Sequence, residues 1–537
     1  MAAQDDPAAQ APARDVVIGV DMGTTATKAV AYDVSGAQLA SASHGYPLQA
    51  PHPGHAVQDP ELILAAAYAG VREVVASIGA ERVAGLSFSS AMHSLLALDE
   101  DLAPLTPVVT WADTRASAQA ERVRASAEGL ALHRRTGTPV HPMSPLPKLI
   151  WFREQEPEIR TKAAIWAGIK DWVLLRMCGA LVTDHSLGSS SGLMDIHALA
   201  WDEEAMRLAG VRPEQLPELV PTTTVLEGLT EEAVAATGLP AGTRVVVGAG
   251  DGPLANLGVG AVRPGVAACS IGTSGALRVT VDHPAVDPLG GVFCYALTED
   301  RWVIGGAINN GGVTLDWVRS QIARGPAVPA PAAEDPTGDG PAPEAAELPS
   351  AAELLDEAAT VPAGSGGLLM LPYLLSERAP HWGSTTRGAY VGLTRGHRRE
   401  HLVRAAVEGV ALQLSLVLQS MRSAGLEIDE IRATGGVMQH PLWRETLADA
   451  LGAPIGFPAQ HEGSGFGAAL LGMQALGLIA SIDVAAEMIP VATRQRPRPA
   501  DAAVYASLRP VFDQLYDALL PANDRLLRLA PSLPLDR

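Results

Sequence analysis

A chain of 537 residues exceeds what one hydrophobic core usually supports, so two domains are expected. Its 39 Lys and Arg against 59 Asp and Glu leave a net charge of −20, which disfavours nucleic acid as a partner. Cys178, Cys269 and Cys294 have no metal-ligand spacing and cannot all pair, no run of about eighteen apolar residues suits a membrane, and the N-terminus is acidic where a signal peptide is basic; a reduced, cytoplasmic setting without a membrane partner is expected.

Residues 1–14 are rich in Ala, Pro, Gln and Asp and read as a frayed tail. An apolar run at 16–20 then feeds into Asp21-Met22-Gly23-Thr24-Thr25, and a second run follows at 28–32, which predicts a β-hairpin. Gly23 lets a ligand approach the backbone, and Thr24 and Thr25 add hydroxyl and amide donors suited to phosphate oxygens. Asp21, ending a buried strand, suits Mg²⁺ held through waters. A third strand at 39–46 completes a meander, and Pro60 opens a helix to about Ile78 with Asp59 as its N-cap. A strand at 83–89 runs into Ser90-Ala91-Met92-His93 and is expected to continue at 95–98, and Trp111 to Arg115 closes a loop before a helix. A lone His is more often structural than functional, and Trp111 would suit a core equally well.

A buried strand at 244–247 leads into Gly248-Ala249-Gly250-Asp251-Gly252, which sets Asp251 where a sheet hands over to a helix. Pro253 occupies the third glycine position of a dinucleotide fingerprint, so a nicotinamide dehydrogenase is disfavoured, and no P-loop motif occurs. On these residues alone, Asp251 serves either as a helix N-cap or in chemistry facing a cleft. Residues 266–281 echo the first hairpin as strand, Gly272-Thr273-Ser274-Gly275, strand, which predicts a duplicated fold with a phosphate loop in each half. Strands at 292–297 and 301–307, a helix from Gly312, and a strand at 388–393 follow. After them come a long helix at 398–422, a strand at 431–434 entering Gly435-Gly436, and helices at 441–451 and 464–478. The Pro/Ala/acid-rich stretch 325–349 lacks periodicity and reads as a solvated insertion loop.

The paired Gly-Thr loops, the segment from Met143 to Phe152 (MSPLPKLIWF), and Gly388 to Leu393 with His401-Leu402 and 405–409 (AAVEG) together resemble the FGGY family of carbohydrate kinases over about residues 15–520. The resemblance implies an α/β fold of two actin-like ATPase (ribonuclease H-like) domains with a cleft between them. A sugar-binding domain would span 15–260 and a nucleotide-binding domain 261–525, with a tail at 526–537. It implies ATP and Mg²⁺ as cofactors and Asp251 as catalytic base. Nucleotide and its metal fall to Asp21, Gly23, Thr24, Thr25, Lys28, Gly272, Thr273, Gly312, Gly435, Gly436 and His440. The substrate falls to Met92, His93, Trp111, Asp113, Met143 and Asp251, with His93 donating to a hydroxyl or carboxylate. The implied partner is a small sugar or sugar acid, and a homodimer is left open.

Within the family, residues 89–100, 110–116, 141–151 and 371–382 look most like gluconate kinases, which implies phosphorylation of D-gluconate at its C6 hydroxyl. A carboxylate needs a cation or several donors, and His93, Arg115, His141 and Lys170 are candidates among which the sequence does not choose. Two alternatives stay open here: a kinase for another sugar such as xylulose, and an actin-like ATP-binding protein without sugar kinase activity.

Overall fold

A computed structural model describes residues 14–322, 348–383, 385–458 and 463–529. Most of the 325–349 insertion, and the terminal stretches 1–13 and 530–537, lie outside the described residues.

The first sheet is built from β1 (Val16–Met22), β2 (Ala26–Asp33), β3 (Gln38–Gly45), β4 (Val83–Ser90), β5 (Val225–Glu227) and β6 (Arg244–Gly250), in the order β5-β6-β4-β1-β2-β3. β1 is antiparallel to β2 and parallel to β4. It lies inside the sheet with both faces covered, which explains why its sequence is a nearly unbroken apolar run. Helix α1 (Pro60–Ile78) packs along β2 and β3, its N-terminus capped by Asp59, which accepts from the Glu61 amide. β6 ends directly in a short helix, α2 (Asp251–Leu257).

The second sheet repeats the plan with β7 (Val266–Ile271), β8 (Gly275–Val281), β9 (Phe293–Ala296), β10 (Trp302–Ile308), β11 (Glu430–Thr434), β12 (Ile455–Pro458) and β13 (Val491–Gln495). Their order is β9-β10-β8-β7-β11-β12-β13. In each sheet an antiparallel meander adjoins parallel strands, β3-β2-β1-β4-β6 in the first and β10-β8-β7-β11-β12 in the second. This is the duplicated, ribonuclease H-like architecture the sequence led us to expect. The long helix α3 (Arg399–Ser423) is apolar and long enough to cross a bilayer by composition, yet 89% of its most apolar window is buried against the second sheet and its covering helices. Its apolarity serves a protein core.

The halves interlock. Helix α4 (Ser464–Ala475), late in the chain, packs against β1 and β4 of the first sheet and along α2. The approach is so close that a Cβ on Gly19 would lie 2.1 Å from the Gly465 carbonyl oxygen. The edge strand β9 is in turn covered by the first half: the Cys294 amide donates to the Gly137 carbonyl at 2.8 Å and the Ala296 amide to Ser189 Oγ at 3.0 Å. All three cysteines are free thiols.

One expectation fails. Residues 95–98 do not continue β4: the chain turns through His93, which has a left-handed φ of 67° incompatible with an extended ladder, and Leu96–Leu98 pairs instead with Ile165–Ala167.

Candidate active site in the cleft between the halves

Asp251 is the first residue of α2, and the N-cap position belongs to Gly250, so its carboxylate is not consumed in capping. Burial pushes this carboxyl up to about 6, with the nearby charge of Asp21 adding to the effect and Arg278, the Gly252 amide and Arg378 opposing it. The Met92 side chain lies against the glycines on either side; a Cβ on Gly250 would come within 2.9 Å of Met92 Cγ. Met92 thereby couples the loop after β4 to the start of α2.

Asp21 is held from two directions. Ser89 Oγ donates to one carboxylate oxygen at 2.6 Å, and Ser464 Oγ at the start of α4 donates to the other at 2.7 Å. Lys28 stands opposite Asp21 in the β1–β2 register, on the same face and exposed. In the hairpin turn, Gly23 donates to the Ala26 carbonyl and accepts from the Tyr46 hydroxyl at 2.7 Å. Thr24 Oγ1 accepts from Trp111 Nε1 at 2.8 Å, and Thr25 is exposed. No group of three or more His, Cys, Asp or Glu side chains suits a metal among the described residues. The Asp21–Asp251 pair does fit a hard cation that keeps most of its waters and shares phosphate oxygens, because such an ion needs only one or two protein carboxylates.

Behind Asp251 opens a cavity of about 340 Å³, lined in part by Ser270, Arg278, Thr434, Gly435 and Ser464. Gly272 and Thr273 form the exposed loop after β7, and a Cβ on Gly272 would meet nothing within 4 Å. Gly312 braces that loop: its amide donates to the Gly272 carbonyl at 2.7 Å, and a Cβ there would sit 2.8 Å from that oxygen. Gly435 has φ 113° and lies against Ile271, whereas Gly436 faces open space. His440 is spent on structure. Its Nδ1 accepts from the Leu442 amide as helix cap and its Nε2 meets Asp356 at 3.2 Å, which leaves only its ring face for a ligand.

The loops that carry Met92, Trp111 and Met143 converge on one amine. Lys148, fully buried, donates to the carbonyls of His93, Thr110 and Met143 at 2.9, 2.7 and 2.6 Å. Burial draws its pKa down to about 7, but three carbonyl acceptors are satisfied only by the protonated ammonium. Trp111 is no core residue; it spans from Thr24 to Arg378, whose guanidinium lies 5.3 Å from the ring centroid.

Three expectations change here. Asp113 does not reach a substrate: fully buried, it takes the Ala56 amide on Oδ2 and the Arg115 guanidinium on both oxygens, because that Arg lies just two residues away and captures it. Arg115 is thereby removed as a carboxylate ligand, and Lys170 is removed by Asp184 at 2.6 Å, both fully buried. His93 does not donate to the pocket. Its Nδ1–H is committed to the Ser190 carbonyl at 2.8 Å, and burial, reinforced by Lys148, holds the ring neutral with a pKa of about 3, so Nε2 is an acceptor. Sequence reasoning missed Ser89, Ser464, Arg278, Tyr295 and Lys148. Only Lys148, a cation inside the apolar stretch LPKLIW, carried a signal that could have marked it.

Two family models cover most of the chain: the N-terminal domain of the FGGY family of carbohydrate kinases matches residues 16–258, and the C-terminal domain matches 267–476. The chain belongs to this family. It is a carbohydrate kinase, with ATP the phosphoryl donor that the family implies. The chain is 40% identical to a gluconokinase of Bacillus subtilis (strain 168), over 93% of this chain and 95% of that one. Solved structures of a gluconate kinase and a ligand-bound xylulose kinase, both from Lactobacillus acidophilus, each superpose with a TM-score of 0.87 at 34% identity. In both cases the match covers 95% of this chain and 99% of the other.

Proposed function

We propose that this kinase transfers the γ-phosphoryl group of ATP to the C6 hydroxyl of D-gluconate in the cytoplasm, giving 6-phospho-D-gluconate. The observation that carries the reading is Asp251, a largely buried carboxylate with a pKa of about 6, which lines one cavity with Arg278 while the glycines beside it lie against Met92, a lining residue with Thr24 and Trp111 of a second pocket. At neutral pH it is ionised and basic enough to take the hydroxyl proton as the acceptor oxygen attacks. His93 Nε2 accepts from a second hydroxyl and so orients the sugar chain. Arg278 has no ion-pair partner among the described residues and faces the developing charge on the transferred group. Asp21, oriented by Ser89 and Ser464, would hold Mg²⁺ through waters; when bound, the ion neutralises phosphate charge. The exposed Gly272-Thr273 loop and Gly436 offer backbone amides to phosphate and open surface to the nucleotide.

The gluconokinase relative favours gluconate, while the xylulose kinase structure, equally similar, supports xylulose as a second reading. Coupled ADP release with gluconate, xylulose, ribulose, fuculose, rhamnulose and glycerol separates them. The expected result is the highest kcat/KM for gluconate; preference for xylulose would transfer the assignment to that ketose.

A further inference from the structure

Among the described residues, Arg378 Nε, His141 Nε2 and the Tyr295 hydroxyl are buried and have no hydrogen-bond partner. A buried donor without an acceptor needs a partner, and a ligand that reaches all three supplies one to each. They form one neighbourhood. The His141 ring meets Trp382 edge-on at 6.0 Å, the Trp382 amide donates to the Arg378 carbonyl at 2.6 Å, and the Tyr295 ring meets His93 edge-on at 5.8 Å; the Arg378 charge acts on His141, His93 and Tyr295 alike.

All three offer protons. The Met143 amide donates to His141 Nδ1 at 3.2 Å, so in the neutral ring the proton sits on Nε2. His141 is held neutral by burial and then by Arg378 and Arg124. Tyr295 is buried and protonated, and the Arg378 guanidinium carries fixed N–H donors. Arg378 gives one N–H to the Ile308 carbonyl at 3.1 Å and lies over Trp111; the charges of Glu377 and Asp251 act on it, but no carboxylate among the described residues stands within ion-pair distance. The adjacent Glu377 is occupied by the Asn309 amide, Asn310 Nδ2 and the Arg378 amide. A half-buried guanidinium whose Nε–H lacks an acceptor, accompanied by two further buried donors, suits an anion.

We infer that Arg378, with His141 Nε2 and the Tyr295 hydroxyl, receives the carboxylate of the sugar acid. The inference rests on the gluconate reading and adds the specificity-determining residue to it. It also divides two cations: Arg278, lining the cavity with Ser270 and Gly435, serves phosphate, while Arg378, over Trp111, serves the acceptor. A neutral polyol would leave the three donors without the charge they select for.

The test measures binding by titration calorimetry of D-gluconate, of its neutral counterpart D-glucitol, and of ATP, to the unmodified enzyme, Arg378→Met and Arg378→Lys. Loss of a charge-assisted contact is expected to weaken gluconate binding by roughly ten- to a hundredfold in Arg378→Met, with Arg378→Lys intermediate and ATP affinity retained as the check on folding. The preference for gluconate over glucitol should fall by the same factor. Unchanged gluconate affinity in Arg378→Met, or an equal loss for glucitol, would overturn the carboxylate assignment while leaving the kinase reading intact. If the unmodified enzyme binds and phosphorylates xylulose but does not bind gluconate, the gluconate reading itself fails and the inference with it.

Discussion

Replacing Asp251 with Asn tests the centre of the mechanism because it should move activity and stability in opposite directions. The amide keeps the shape of the carboxylate and cannot accept the hydroxyl proton, so kcat should fall by about 10² or more, the scale of general-base catalysis. Stability follows from linkage. The folded carboxyl has a pKa of about 6 against an ordinary value of 3.8, so the folded state binds the proton more tightly than the unfolded chain. Above the folded pKa both states are ionised and the folded state carries the full penalty, about 3 kcal/mol. The penalty shrinks as pH falls from about 6 and is gone below 3.8. Asp251→Asn removes it at neutral pH, so the ligand-free variant should unfold a few degrees higher than the parent at pH 7.5, with the two curves converging toward pH 4. Scanning calorimetry at both pH values and a coupled ADP-release assay supply the readouts. A variant within tenfold of parental kcat would refute the general-base role, and a lower melting temperature at pH 7.5 would refute the account of its environment.

The same carboxyl predicts that kcat/KM for the sugar falls on the acid side with a midpoint about pH 6; a flat profile between pH 5 and 8 would contradict this. Lys148→Met leaves the carbonyls of His93, Thr110 and Met143 without their shared donor, at about 1–3 kcal/mol for each buried group left unsatisfied. Sugar KM should rise and the melting temperature drop, and calorimetry with no change in either would remove Lys148 as the brace of the pocket. Gly272→Val adds bulk where a Cβ meets nothing within 4 Å, so unfolding should be unaltered while KM for ATP rises at least severalfold. An unaltered KM for ATP would mean the loop does not line the nucleotide path.

Much of the architecture was legible in the chain because its signals are local. The apolar run of β1, the Gly-Thr turn after it and its echo at Gly272-Thr273 specify two hairpins whatever surrounds them, and Asp251 at a strand-to-helix junction follows from its immediate neighbours. Tertiary structure decided what each polar side chain does, since its partner is chosen by proximity in space. Ser464 grips Asp21 from 443 residues away, through a helix that only a glycine at position 19 lets approach. His93 and Asp113 had pocket roles in prospect; the Ser190 carbonyl took the proton-bearing nitrogen of one, and the Ala56 amide and Arg115 took all of the other. Arg378 lies in the stretch 371–382 that marks the family, but only folding set its guanidinium over Trp111 with its Nε–H lacking an acceptor among the described residues. Local periodicity determines elements, whereas desolvation and partner availability determine which donors and acceptors remain for a substrate.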